Sequence, residues 1–125
     1  MARFVLIGLC EPLSPGDQSA FDEWFIGQHI EDTAHCPHVV RGSVFKLGGP
    51  HLDIETPSDY LSLYEIEADS YEEAETILNE WQSLEDAWAG RQNHRETGER
   101  LGGVPMQIRG AGFYELIQSY DGPKA

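Results

Sequence analysis

The chain has 125 residues, enough for one domain with one core and too few for two of ordinary size. Lys and Arg total 8 against 22 Asp and Glu, a formal net charge of -14. A nucleic-acid backbone or an anionic lipid surface would be repelled, which excludes both as partners. Aromatic residues make up 10%, with three Trp, five Tyr and five Phe, too much buriable surface for a disordered acidic chain, so the acids must decorate a fold.

Residues 3–10, Arg-Phe-Val-Leu-Ile-Gly-Leu-Cys, are strand formers, stopped by Pro12 and Pro15, which cannot donate to a sheet ladder. The run is too brief for the apolar centre of a secretion signal, and no stretch approaches the roughly 18 apolar residues of a membrane span. Two cysteines, Cys10 and Cys36, make no disulfide framework, and neither shows a sign of activation, so buried inert thiols in a soluble, cytoplasmic protein are expected. Ser14 as cap, Pro15 at the first helical position and Asp17 in the first turn open a helix through Phe21, Trp24, Phe25, Ile26 and Ile30. Phe21, Trp24 and Phe25 share one face of that helix while Ile26, Ile30 and Ala34 lie nearly opposite, so it is covered on two sides or bent. Pro37 closes it.

Residues 39–47 read as a second strand, ended by Gly48-Gly49-Pro50, and 51–59 as a polar loop. Residues 60–68 alternate Tyr60, Ser62, Tyr64 and Ile66 on one face with Leu61, Leu63, Glu65 and Glu67 on the other, a third strand by its period. Ser70 and Glu73 have capping-box spacing, and Ala74, Ile77, Leu78, Trp81, Leu84 and Trp88 then predict a helix as far as residue 88. Residues 90–103 read as a polar, flexible loop, and 104–120 as the last strand, with a bulge or bend near Gly110 and Gly112.

Strand, helix, strand, strand, helix, strand is the ferredoxin-like βαββαβ order. It predicts an α+β fold, a four-stranded antiparallel sheet with two helices on one face, in a single domain over residues 1–125. The bare face of the sheet predicts a homodimer, since pairing two such faces buries both.

Five histidines are the first candidates for chemistry near neutral pH: His29, His35, His38, His51 and His94. His29, His35, Cys36 and His38 match no zinc spacing, and no metal is expected. His51 reads as a solvated surface residue; His94 is either that or a rim contact, in a loop shared with Arg91, Arg95 and Arg100. His29 ends an aromatic-rich helix three residues before Asp32. That acid can orient its ring and leave the other nitrogen free as general base or acid, or the two can simply form a helix-end hydrogen bond. Tyr64 can donate to a developing oxyanion or fill the core, and Tyr60 suits a dimer interface. Arg41 can hold a substrate carboxylate or enolate, although pairing with one of the many acids is the stronger expectation. Trp24, Phe25 and Trp88 are core or pocket aromatics.

The stretch Phe21-Asp22-Glu23-Trp24-Phe25, His29-Ile30 and Asp32, then Pro37, Val39 and Arg41, followed by Tyr60-Leu61-Ser62-Leu63-Tyr64-Glu65-Ile66, resembles the EthD-like dimeric α/β-barrel proteins. The likeness covers about the first 70 residues by motif and the rest by element order. It implies the dimeric α/β barrel, a cavity between sheet and helices, and His29 pointing into it. Two positions depart from the pattern: Glu31 stands where many relatives have proline, and Pro37-His38 replaces Pro-Gly.

The resulting expectation is a small cofactor-independent enzyme that transfers a proton on an apolar, aromatic or polycyclic (polyketide-like) molecule, as a lyase, decarboxylase, dehydratase or isomerase. His29, Asp32 and Tyr64 would be catalytic, with Trp24, Phe25, Arg41, Trp88 and His94 binding substrate. The alternatives are a cofactor-free monooxygenase and a non-catalytic small-molecule binder. Nine of the 22 acids fall between Glu65 and Asp86 on a solvated face, whereas Arg91, His94, Arg95 and Arg100 would favour an anionic substrate if their loop folds over the cavity.

Overall fold

Tyr60, Ser62, Tyr64, Ile66 and Ala68 are buried and the residues between them half-buried, the period-2 signature of a strand with one covered face. In the computed structural model, which describes residues 1–124, this strand is β3 (Tyr60–Ala68). It pairs antiparallel with β1 (Ala2–Pro12) and β2 (Val39–Lys46), and β1 pairs antiparallel with β4 (Met106–Glu115), giving the order β2-β3-β1-β4. A helix over 18–34, α1, and a second, α2 (Tyr71–Ser83), cover the face that carries Phe4, Tyr64 and Ile66. This is the ferredoxin-like α+β arrangement expected. Tyr60 belongs to the covered face too: its ring packs 4.8 Å from Phe21, so it is a core residue and not an interface residue.

α1 resolves its crowded apolar pattern by changing pitch. A single 3-10 turn (Pro15–Asp17) precedes it, with the Ser14 hydroxyl donating to the Asp17 carboxylate instead of capping a backbone N–H. Winding over Asp22–His29 is π-helical, with the Ile30 N–H reaching back to the Phe25 carbonyl. The wider turn places Phe21, Trp24 and Phe25 in the core and leaves Ile26 39% exposed.

Two expectations at the C-terminal half need correction. α2 stops at Ser83, five residues before Trp88, because Leu84 turns extended (φ -77°, ψ 130°). The segment expected to be a flexible loop is instead a third helix, α3 (Arg91–Arg100). It has no apolar stripe to reveal it; what it buries are Arg91 and Thr97, paired with polar partners on the neighbouring elements. Gly98 lets α3 approach α1 closely, since a Cβ there would sit 3.1 Å from Trp24 Nε1. β4 ends at Glu115, short of residue 120, and its register against β1 shifts between Leu9 and Cys10, leaving Arg109 as the extra residue of a bulge beside Gly110.

His38, where the EthD-like pattern has glycine, takes a left-handed backbone (φ 73°) and anchors its ring Nδ1 on the Glu67 carbonyl at 2.9 Å. The turn geometry is therefore kept, at the cost of a conformation that suits glycine. His38→Ala is expected to be about 1 kcal/mol less stable than His38→Gly by urea unfolding, since both lose the ring and only alanine keeps the Cβ clash. Equal stabilities would show that the left-handed turn carries no strain.

Candidate active site

Phe25, His29 and Thr33 follow one another at intervals of four residues down α1, so they share a column, and all three line a cavity of about 210 Å³ between the helices and the sheet. Leu6 and Cys10 of β1 and Ser62 and Tyr64 of β3 form its floor, while Leu78 of α2 and Met106 of β4 close its sides. The Tyr64 hydroxyl is buried and has no hydrogen-bond partner among the described residues. Burial pushes the phenol's pKa up against a smaller opposing pull from the neighbouring Thr33 side chain, which stands close without a well-formed hydrogen bond, so it stays protonated and able to donate. Burial likewise holds Cys10 and Cys36 at about 11, which makes both free thiols inert at neutral pH.

Behind the cavity, His29 Nδ1 lies 3.1 Å from His94 Nε2, and both rings stack on the Trp24 indole at 4.6 and 5.3 Å. One imidazole must donate and the other accept. His94 Nδ1 faces Asp32 Oδ2 at 4.0 Å, which favours a proton on that nitrogen. We therefore assign the remaining shared proton to His29 Nδ1, which donates to His94 Nε2 and leaves the lone pair on His29 Nε2. Burial, with the charges of His94 and Arg91, lowers the His29 pKa to about 4 against the opposing pull of Asp32, so the ring is neutral at pH 7. Burial also lowers His94.

Asp32 is fixed from the other side. Its Oδ1 accepts from Arg91 Nε and from Trp88 Nε1, both at 2.7 Å, and its backbone carbonyl accepts from Trp81 Nε1 at 3.0 Å. Burial alone would raise this carboxyl, but the hydrogen bonds from Arg91 and Trp88 outweigh it and hold the pKa below the usual range. Arg91 Nη1 continues to the carbonyls of Trp81 and Leu84, so one guanidinium caps the end of α2 and pins Asp32 of α1.

No family model and no curated protein matches the sequence. Solved structures do match. HapK from Hahella chejuensis superposes with a TM-score of 0.59 at 13% identity, over 97% of this chain and 99% of that one. An ethyl tert-butyl ether (EthD) family protein from Bacillus halodurans gives 0.52 at 14%, over 94% and 100%. The chain has an EthD-like fold. At these identities the likeness carries the architecture and not the chemistry.

Within this EthD-like fold, the expected site residues divide into three groups. His29, Phe25 and Tyr64 meet at the cavity. Asp32, His94, Trp24 and Trp88 stand behind it: His94 is interposed between Asp32 and His29, Trp24 underlies both imidazoles, and Trp88 bonds Asp32 while stacking on His35 at 3.7 Å. None of the four lines this cavity, and His94 in place of Asp32 is the direct partner of His29, which corrects the expectation that Asp32 acts directly on that ring. Arg41 belongs to neither group. It projects from the uncovered face, 72% exposed and 4.0 Å from Glu65, the acid pairing weighed for it above.

Arg91 was visible only as one of several loop cations. The structure shows that none of those cations meets the cavity: Arg91 pairs with Asp32, Arg95 bonds the Leu84 carbonyl, and Arg100 pairs with Glu23. The condition on which an anionic substrate was expected, these cations over the cavity, is not met in this structure. Thr33, which also lines the cavity, was legible as the position one turn beyond His29.

Arg91→Met leaves a carboxylate buried without its partner and is expected to cost about 3–5 kcal/mol in urea unfolding. Adding Asp32→Asn should recover part of that loss. A single-variant cost below about 1 kcal/mol would show that the pair does not hold the helices together.

Proposed function

We propose that this chain is an enzyme that moves a proton on an apolar small molecule, with His29 as general base or acid, and that it works as a homodimer. The observation that carries this reading is the neutral His29 ring at the cavity wall, bonded through Nδ1 to His94 so that Nε2 is uncommitted. In the forward step a substrate C–H bond breaks, its proton passes to His29 Nε2, and the electron pair moves onto the adjacent carbonyl oxygen as an enolate. The Tyr64 hydroxyl, protonated and buried in the same cavity, is the donor for that oxygen. Asp32 stabilises the imidazolium through His94, because the charge is shared along the hydrogen-bonded pair. Return of the proton to another atom gives isomerisation; expulsion of a leaving group gives a lyase or dehydratase step.

The step is tested by deuterium uptake from D2O into the α-position of enolisable ketones, followed by NMR. His29→Gln should lower the rate at least a hundredfold while the protein remains folded, and near wild-type exchange in that variant would sink the mechanism. Because the His29 pKa sits at about 4, the rate should stay level from pH 7 down to about 5 and drop as the ring protonates below that. A limb near 6.5, the ordinary histidine value, would contradict it.

The dimer reading rests on the face without helices. Val5, Ile7 and Leu9 of β1 and Leu61 and Leu63 of β3 are only half-buried there, and Phe45 of β2 is 54% exposed. Ion pairs of Arg3 with Glu67 and of Arg109 with Glu11 bracket this apolar strip at its two ends. Sedimentation should give twice the chain mass, and Leu63→Glu should shift it to one; a wild-type monomer at micromolar concentration would refute it.

A further inference from the structure

From the cavity's size and its lining we infer that it takes a neutral, single-ring carbonyl compound and rejects both carboxylates and fused polycycles. This narrows the proton-transfer reading above and rests on it for the role of His29.

Size is the first constraint. A cavity of about 150 Å³ lined by aliphatic and aromatic side chains holds one benzene molecule. The present 210 Å³ admits one six-membered ring with a short substituent, and the further rings of a three-ring system would have to stand outside it, past the exposed Gln82, Ile108 and Ala111 at its edge. Relief from the backbone is limited, because Gly8 on the floor already stands against β3: even a Cβ there would come within 2.6 Å of Ser62 Oγ.

Charge is the second constraint. Among the described residues, no Lys, Arg, Asp or Glu lines the cavity. The nearest ones, Arg91 and Asp32, are spent on each other behind the imidazoles, with side chains 3% and 5% exposed. His29 is neutral at pH 7 and Tyr64 is protonated, so a carboxylate entering here would lose its hydration without meeting a cation. What does await a ligand is a buried donor, the Tyr64 hydroxyl, unpartnered among the described residues, with the hydroxyls of Thr33 and Ser62 on the same lining. An acceptor oxygen on an otherwise apolar ring satisfies it, and filling an unsatisfied buried donor is worth more than adding a bond on the surface.

The test is equilibrium binding by calorimetry with four probes: acetophenone, toluene, benzoate and 9-acetylanthracene. Acetophenone should bind most tightly, with benzoate and 9-acetylanthracene at least tenfold weaker. Tyr64→Phe should weaken acetophenone about three- to tenfold and leave toluene unchanged, toluene serving also as the check that the variant's cavity is intact. Equal or tighter binding of benzoate or 9-acetylanthracene, or no effect of Tyr64→Phe on acetophenone, would overturn the inference. The two readings fail separately. Acetophenone that binds as expected but takes up no deuterium sinks the proton transfer and keeps the ligand class, whereas His29-dependent exchange on 9-acetylanthracene does the reverse.

Discussion

The buried ion pair between Asp32 and Arg91 joins α1, α2 and α3. Asp32 lies in the last turns of α1 and Arg91 opens α3, and the same guanidinium reaches the carbonyls that end α2. Two charges taken out of water at a separation of 2.7 Å repay their desolvation only when the remaining donors and lone pairs are also used. Here Trp88 takes the second bond to Asp32 Oδ1, Arg91 Nη1 bonds two carbonyls and the guanidinium lies 5.0 Å over the Trp81 ring, while Arg91 Nη2 is buried without a hydrogen-bond partner among the described residues. The cluster thus ties together, by polar contacts, helices whose apolar side chains already share one core.

From that fixed point the site follows. With Asp32 immobilised and Trp24 beneath both rings, His94 has one place to go, and His29 is held against it. The carboxylate that orients the pair is thus kept out of the cavity, separated from it by two imidazoles. A charge at the wall would draw water in; a neutral histidine does not. The arrangement yields an imidazole that is unprotonated at neutral pH, facing the same cavity as a protonated phenol. The depressed pKa of His29 has its origin chiefly in the burial of its ring.

Much of the fold was legible because it is written in periods. The alternation through Tyr60–Ala68 and the apolar spacing from Ala74 to Trp81 announce themselves, and so does the Ser70 cap, which accepts the Glu73 N–H at 3.1 Å. The face that Tyr64 shares with Ser62 and the candidacy of His29 were readable for the same reason. α3 was not. Its sequence, Arg-Gln-Asn-His-Arg-Glu-Thr-Gly-Glu-Arg, has no apolar stripe, since the positions it buries are polar and are satisfied by partners far away in sequence. Hydropathy detects burial of apolar surface and is blind to burial of paired charge. The end of α2 was misplaced for a related reason: Trp88 continues the helical spacing, yet it serves Asp32 from a turn.

The sequence by itself determined the order of the strands and of the two helices rich in apolar residues, the covered face of the sheet and the histidine that reaches the cavity, because each depends on residues near one another along the chain. Which group stands beside that histidine was decided only in three dimensions. Asp32 is three residues away and well spaced to reach it, but the π-helical winding of α1 and the attraction of Arg91 turn the carboxylate aside. His94, 65 positions along the chain, takes its place. Spacing along a helix states which groups can meet; the stronger buried partner settles which of them do.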